Sequence, residues 1–187
     1  MSPPTLPNPL QLTGEPERIL LVLPTWVGDV VMATPFIRAL FERFPQADIT
    51  LVMNRHLYPL LEGSPWVARC RFWPPRNKTA EAKQQWQQLV AQLRASHFDL
   101  AVMLPNSLRS AWLCFRAGAR RRVGFNRDGR RLLLTDPLPV PNRIRGGYEP
   151  MPLCDYYAVL AASLGCEHPG DRLSPVSYTH LRAHETS

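Results

Sequence analysis

Arg18–Phe44 reads RILLVLPTWVGDVVMATPFIRALFERF. Ile19 to Leu23 is a continuous apolar run without polar alternation, the pattern of a strand covered on both faces in a parallel sheet, and Pro24 ends it. Beyond a short turn, Phe36, Ile37, Leu40, Phe41 and Phe44 recur at helical spacing with Arg38, Glu42 and Arg43 opposite, which opens a βαβ unit. Thr34-Pro35 reads as an N-cap and first-turn pair, because proline gives up no needed N–H there and its φ is already helical. The regular helix is therefore expected to start near Pro35, with Val30 to Ala33 as a distorted first turn. In open α/β sheets ligands lie outside the carboxyl ends of strands. Thr25 to Asp29 holds that position, and Asp29 is its only ionisable group. On composition alone two roles are open to this acid, a helix cap or a group facing a ligand.

Outward from this unit the same alternation continues. Asp48–Met53 reads as a second strand, with Asn54-Arg55-His56 past its carboxyl end and a short helix over Leu57–Leu61. Trp66–Trp73, WVARCRFW, alternates apolar and polar residues and predicts a third, more exposed strand stopped by Pro74-Pro75. Thr79–Ser96 lacks Gly and Pro and predicts a helix with Trp86, Leu89, Val90 and Leu93 inward. Asp99–Leu104 is a fourth, central strand, broken by Pro105-Asn106-Ser107, where Ser107 or Asn106 can cap a helix ended by Gly118. Arg122–Phe125 is a short fifth strand, residues 126–147 are irregular, and Tyr156–Leu164 is a last helix closed by Gly165. Strands alternating with helices predict a Rossmann-like, doubly wound parallel sheet with flanking helices.

With 187 residues, 45% of them hydrophobic, the chain can bury one good-sized core, and one domain is expected. No apolar run reaches the roughly 18 residues of a membrane span, and the start of the chain has no basic region followed by an apolar one, so a cytoplasmic protein is expected. Residues 1–17 form a proline-rich leader expected to be flexible or loosely laid on the surface. The formal charge of +7, carried almost wholly by arginine, points to an anionic partner: a nucleic acid, a membrane surface or a phosphorylated glycolipid. Cys70, Cys114, Cys154 and Cys166 have no zinc-site spacing and read as reduced thiols. Val176–Thr186, VSYTHLRAHET, is similar to one reading frame of a transposase sequencing adapter. Residues 176–187 are therefore set outside the fold, together with the His180/His184 pair that imitates a metal site beside Glu185.

Leu23–Pro35, LPTWVGDVVMATP, resembles the N-terminal signature of the lipopolysaccharide heptosyltransferases, glycosyltransferase family 9. Leu104–Ala111, LPNSLRSA, is similar to the LPNS(F/L)(K/R)SA segment of the branch of that family that adds the second heptose. The similarity in pattern runs from about residue 18 to about residue 173.

The resemblance implies the N-terminal, acceptor-binding half of a GT-B glycosyltransferase, over residues 18–175, with the C-terminal donor domain missing and the fragment inactive alone. It implies heptose transfer from ADP-L-glycero-β-D-manno-heptose to the heptosyl-Kdo inner core of lipopolysaccharide, with inversion and without a cofactor or a metal site. Asp29 matches the acid that would act as general base, since a neutral hydroxyl is a weak nucleophile. Gly28 would leave room for the incoming sugar beside Thr25 and Trp26. The acceptor carries phosphates and Kdo carboxylates, which arginine forks meet bidentately. The cluster Arg120, Arg121, Arg122 and Arg127, extended by Arg130 and Arg131, is the first choice of reader, followed by Arg55 and Arg109. Asn106 and Ser107 match the second motif and are expected to touch the acceptor or shape its loop. The implied partners are heptosyl-Kdo-lipid A and, peripherally, the anionic cytoplasmic face of the inner membrane, with no nucleic acid and the oligomeric state open. Three alternatives stay open: heptosyltransferase I or another family 9 transferase, a nicotinamide-dependent oxidoreductase, and a non-enzymatic basic module binding nucleic acid. The oxidoreductase requires G-x-G-x-x-G after the first strand, where only Gly28 stands.

Overall fold

The computed structural model describes residues 9–12 and 14–167. Its centre is a six-stranded, all-parallel sheet of β1 (Arg18–Val22), β2 (Asp48–Met53), β3 (Cys70–Phe72), β4 (Leu100–Met103), β5 (Arg121–Phe125) and β6 (Asp136–Leu138). The spatial order is β3-β2-β1-β4-β5-β6, so the chain reverses its direction of travel between β1 and β4. That is the topological switch point, where a crevice opens at the carboxyl ends of the strands.

Helices cover both faces. α1 (Val27–Arg43) and α4 (Leu153–Ser163) pack together on one side, and α2 (Ala80–Ala95) and α3 (Leu108–Arg116) lie on the other. Alternate residues of β1 serve the two layers: Ile19 and Leu21 join the core under α1 and α4, while Leu20 and Val22 join the core under α2 and α3. Both faces being dry is why this strand carries no polar alternation. Thr79 caps α2 by accepting from Ala82 N–H at 3.2 Å, and Ser107 caps α3 by accepting from Ser110 N–H at 3.2 Å.

Three expectations change. α1 begins at Val27, so Pro35 lies inside the helix and Thr34 is no cap. Proline leaves the Val31 carbonyl without its helical donor, and the Thr34 hydroxyl takes over that bond at 2.7 Å. The predicted third strand is a 3₁₀ turn over Pro65–Arg69 followed by only three residues of β3, because Trp66 turns into the core against Phe41. A sixth strand, β6, lies in the segment read as irregular, which also holds an antiparallel hairpin of β7 (Arg143–Ile144) and β8 (Gly147–Tyr148). Within the leader, Leu10 N–H bonds to the Ser163 carbonyl at 2.7 Å, and Leu10 and Leu12 pack on the core, which is one of the two arrangements expected of it. The tail from Val176 lies outside the described residues.

Candidate active site

The crevice at the switch point is built from the β1–α1 and β4–α3 turns. Trp26, in extended conformation and 74% exposed, precedes the helix and makes no side-chain cap bond. The first intrahelical bond runs from Val30 N–H to the Trp26 carbonyl at 3.0 Å, so the amides of Val27, Gly28 and Asp29 are the unpaired start of α1. Asp29 is half-buried in that first turn and is paired with no side chain among the described residues. A carboxylate there is favoured by the helix dipole. Its charge is felt by Tyr157 of α4, whose hydroxyl is pushed far above its ordinary range by burial first and by the Asp29 charge second. The phenol stays protonated beside the acid.

The β4–α3 turn is held from beneath by Arg130. This guanidinium is wholly buried and has no carboxylate partner among the described residues. Its Nε donates to the Phe125 carbonyl at 2.9 Å, one terminal nitrogen donates to the Pro105 carbonyl, and the other donates to Asn106 Oδ1 at 2.9 Å. Burial draws it down to about 10, so it remains charged at neutral pH. Asn106 Nδ2 in turn donates to the Tyr156 hydroxyl at 2.9 Å, and Tyr156 packs on Phe125 with ring centroids 4.1 Å apart. Asn106 is thereby locked in orientation, and consecutive tyrosines of α4 connect the two turns.

Beside these turns a groove of about 1100 Å³ runs along the carboxyl ends of β1, β2 and β3. Thr25 and Trp26 form its near end; Asn54, Arg55 and His56 come from the end of β2, and Arg71, Trp73 and Arg76 from β3 and the loop after it. Asp29 is not among the lining residues, whereas Thr25 and Trp26 of the same turn are. Asn54 ties the ends of β1 and β2 by donating to the Thr25 carbonyl at 3.4 Å. Arg109 forms the corner with α3: its guanidinium stands over Trp73 at 4.8 Å and Trp86 at 5.5 Å and donates to the Pro74 carbonyl at 2.9 Å. Burial, then the Arg76 charge, lowers its pKa. Arg55 lies over the Phe72 ring at 4.3 Å. Among the described residues no aspartate or glutamate lines the groove.

The structure thus brings Thr25, Trp26, Gly28 and Asp29 to one turn, Asn106 and Ser107 to the next, and Arg55 and Arg109 to the groove. Arg127 stays at this end, over the Tyr148 ring at 4.2 Å and paired with Asp128 at 3.6 Å. The other clustered arginines do not join them. Residues leading into a parallel strand sit at its amino end, opposite the crevice. Arg120 there pairs with Asp99 at 3.3 Å, and Arg121 pairs with Asp136 and donates to the Gln11 carbonyl at 2.6 Å. Arg122 is spent on the Leu133 and Ala119 carbonyls, both at 2.7 Å. Arg71, Trp73 and Arg76 were missed as lining residues, although Pro74-Pro75 marks a strand end just before Arg76 in the same way that Asn54 does before Arg55.

Among the described residues no cluster of three His, Cys, Asp or Glu side chains could hold a metal ion, and no helix is long and apolar enough to cross a membrane. The cysteines carry no disulfide there, and burial pushes Cys70 up to about 11 and Cys114 and Cys166 up to about 12.

A Rossmann-like unit with an acid at its switch point and, alongside, a basic groove lined by no acid among the described residues can hold an anionic ligand at the carboxyl end of its sheet. Residues 86–180 match the family described as Glycosyltransferase family 9 (heptosyltransferase), and the chain belongs to that family. It is 35% identical over 119 residues to lipopolysaccharide heptosyltransferase 2 of Escherichia coli, a match covering 64% of this chain and 34% of the relative. It is 27% identical to lipooligosaccharide heptosyltransferase 2 of Haemophilus ducreyi over 88% of this chain and 45% of the relative. The solved structure of E. coli ADP-heptose LPS heptosyltransferase II superposes with a TM-score of 0.54 at 33% identity, over 64% of this chain and 34% of that one. A family 9 glycosyltransferase from Veillonella parvula shares the fold with a TM-score of 0.68 at 20% identity, over 87% of this chain and 45% of that one. The chain therefore spans less than half the length of these relatives.

Proposed function

We propose that this chain is the acceptor-binding half of an inverting heptosyltransferase that adds the second heptose to the inner core of lipopolysaccharide. The observation that carries this reading is Asp29, a carboxylate without a side-chain partner among the described residues at the switch point of the sheet, beside exposed Gly28 and Trp26. The acceptor's phosphates and carboxylates lie in the groove of Arg55, Arg71, Arg76 and Arg109, and one of its hydroxyls reaches past Trp26 to Asp29. Asp29 takes the proton of that hydroxyl as its oxygen bonds to the anomeric carbon of ADP-heptose from the face opposite the leaving group. The bond from that carbon to the diphosphate oxygen breaks, and ADP departs with the electron pair. Tyr156, Asn106 and Arg130 keep the β4–α3 turn in register with this approach. The donor nucleotide sugar is held by a second domain, and no further cofactor takes part. The acceptor is anchored in the cytoplasmic face of the inner membrane.

The test is made in the full-length protein. Asp29→Ala is expected to lower kcat for transfer from ADP-heptose by about 10²–10⁴-fold with little change in KM for the acceptor. Near-normal turnover would assign the proton to another group. Comparing kcat/KM for heptosyl-Kdo-lipid A with that for Kdo-lipid A decides between the second and the first heptose addition.

A further inference from the structure

α3 has two apolar faces. One, with Ala111, Leu113 and Cys114, is buried against the sheet. On the other, Leu108, Trp112 and Phe115 follow one another at i, i+4 and i+7, and they are 54%, 42% and 44% exposed. The two rings stack with centroids 5.6 Å apart, and cations flank them: Arg116 stands 5.7 Å from Trp112, and Arg122 stands 5.6 Å from Phe115. The 3₁₀ turn Arg130–Leu133 packs against α3 and extends the patch with Leu132, which is 93% exposed. Between Leu104 and Leu134 the only acid is Asp128, and it is paired with Arg127.

We propose that this stripe is a docking surface for an anionic phospholipid bilayer. Leu and Trp side chains enter the boundary between headgroups and acyl chains, with the indole ring suited to that depth, while Arg116 and Arg131 meet lipid phosphates. Charge selects this occupant over a second copy of the chain, since a two-fold contact would set arginine-rimmed patches against each other. The position has a consequence for substrate access. Ser107 and Arg109, on either side of Leu108, line the recess that adjoins the groove. A chain lying on this stripe therefore holds its groove beside the lipid surface. That purpose rests on the acceptor reading above, whereas the surface itself does not.

The experiment is co-sedimentation of the 187-residue chain with vesicles of phosphatidylcholine, with and without phosphatidylglycerol, none containing glycolipid. Binding is expected only to the anionic vesicles and is expected to weaken with added salt. Arg116→Gln and Arg131→Gln should each lower partitioning about fivefold. The double variant Trp112→Ser, Leu132→Ser should lose binding while keeping the parent's thermal melt, because both side chains are exposed. Brominated acyl chains should quench tryptophan emission in the parent more than in Trp112→Phe. Failure to sediment, or unchanged partitioning of the double serine variant, overturns the proposal. So does a dimer that this variant abolishes in a chain that ignores vesicles. Vesicle binding without affinity for core oligosaccharide would leave the docking surface standing and sink the acceptor reading alone.

Discussion

Gly28 precedes Asp29 in the first turn of α1, and a Cβ built there meets no atom of the described residues within 4 Å. Its backbone is helical, so nothing in the chain itself demands glycine. Gly28→Ala should therefore raise stability by about 0.4–1 kcal/mol, through the smaller entropy of the unfolded chain, as read by urea unfolding. If the open space is kept for the acceptor sugar, the same variant loses transferase activity while melting higher; a variant that gains stability and keeps full activity would separate Gly28 from the substrate. Single residues differ in how far the sequence discloses them. Asp29 is legible because strand, turn and helix are all written in one contiguous stretch. Arg130 is not: its surroundings come from β4, β5 and α4, and in sequence it is one more member of an arginine run. Only folding shows that this guanidinium is enclosed and committed to backbone carbonyls while Arg131 beside it is exposed.

At the scale of elements, the misplaced start of α1 has a local cause. Thr34-Pro35 has the composition of a helix beginning, and the hydroxyl that would cap a helix is used instead to repair one. Thr34→Val should cost about 1–3 kcal/mol in urea unfolding, since the Val31 carbonyl is then left without a donor. Adding Pro35→Ala should recover most of that loss by restoring an N–H at position 35, and a double variant no better than Thr34→Val would exclude the compensation. β6 was hidden for a related reason: Pro137 sits in it, and proline argues against a strand unless the strand is at an edge, as this one is. The edge is tied down by Asp136, which accepts from both Arg121 and Thr135. Burial opposes the charge on Asp136, but the bonds from Arg121 and Thr135 prevail and hold its carboxyl below the ordinary 3.8. A depressed carboxyl contributes stability that is complete above its unfolded value and is lost as pH falls through its folded value. Asp136→Asn should therefore be less stable than the parent at neutral pH, with the gap closing below pH 3.8. A gap that stayed constant down to acid unfolding would show that the pair is not what fastens the edge. The central strands β1, β2 and β4 were readable because each is an apolar run; β3 and β6, at three residues apiece, carry too little pattern.

Over the whole molecule, the net charge of +7 is divided unevenly between the two ends of the sheet. At the amino end the arginines are matched, Arg120 with Asp99 and Arg121 with Asp136, and they serve the fold. At the carboxyl end Arg55, Arg71 and Arg76 line a groove that no acid among the described residues shares, so on the proposed function their charge is left for the acceptor. Composition alone reports the sum of these populations and cannot separate them, which is why the densest run, Arg120-Arg121-Arg122, attracts attention out of proportion to its place in the fold. The separation predicts how phosphorylated core oligosaccharide binds the 187-residue chain in calorimetric titrations. Affinity should fall as ionic strength rises, because contacts at the groove surface are screened over about 10 Å at 0.1 M salt. Arg76→Gln and Arg55→Gln should each weaken binding about tenfold and flatten its salt dependence, whereas Arg120→Gln should leave both unchanged. Generic DNA gives the contrasting result if the charge serves a nucleic acid: it would compete for the groove with the steep salt dependence of counterion release. Equal losses at Arg120 and Arg76 would mean that the acceptor is read by overall charge, and the groove at the switch point would lose its claim to be the acceptor's place.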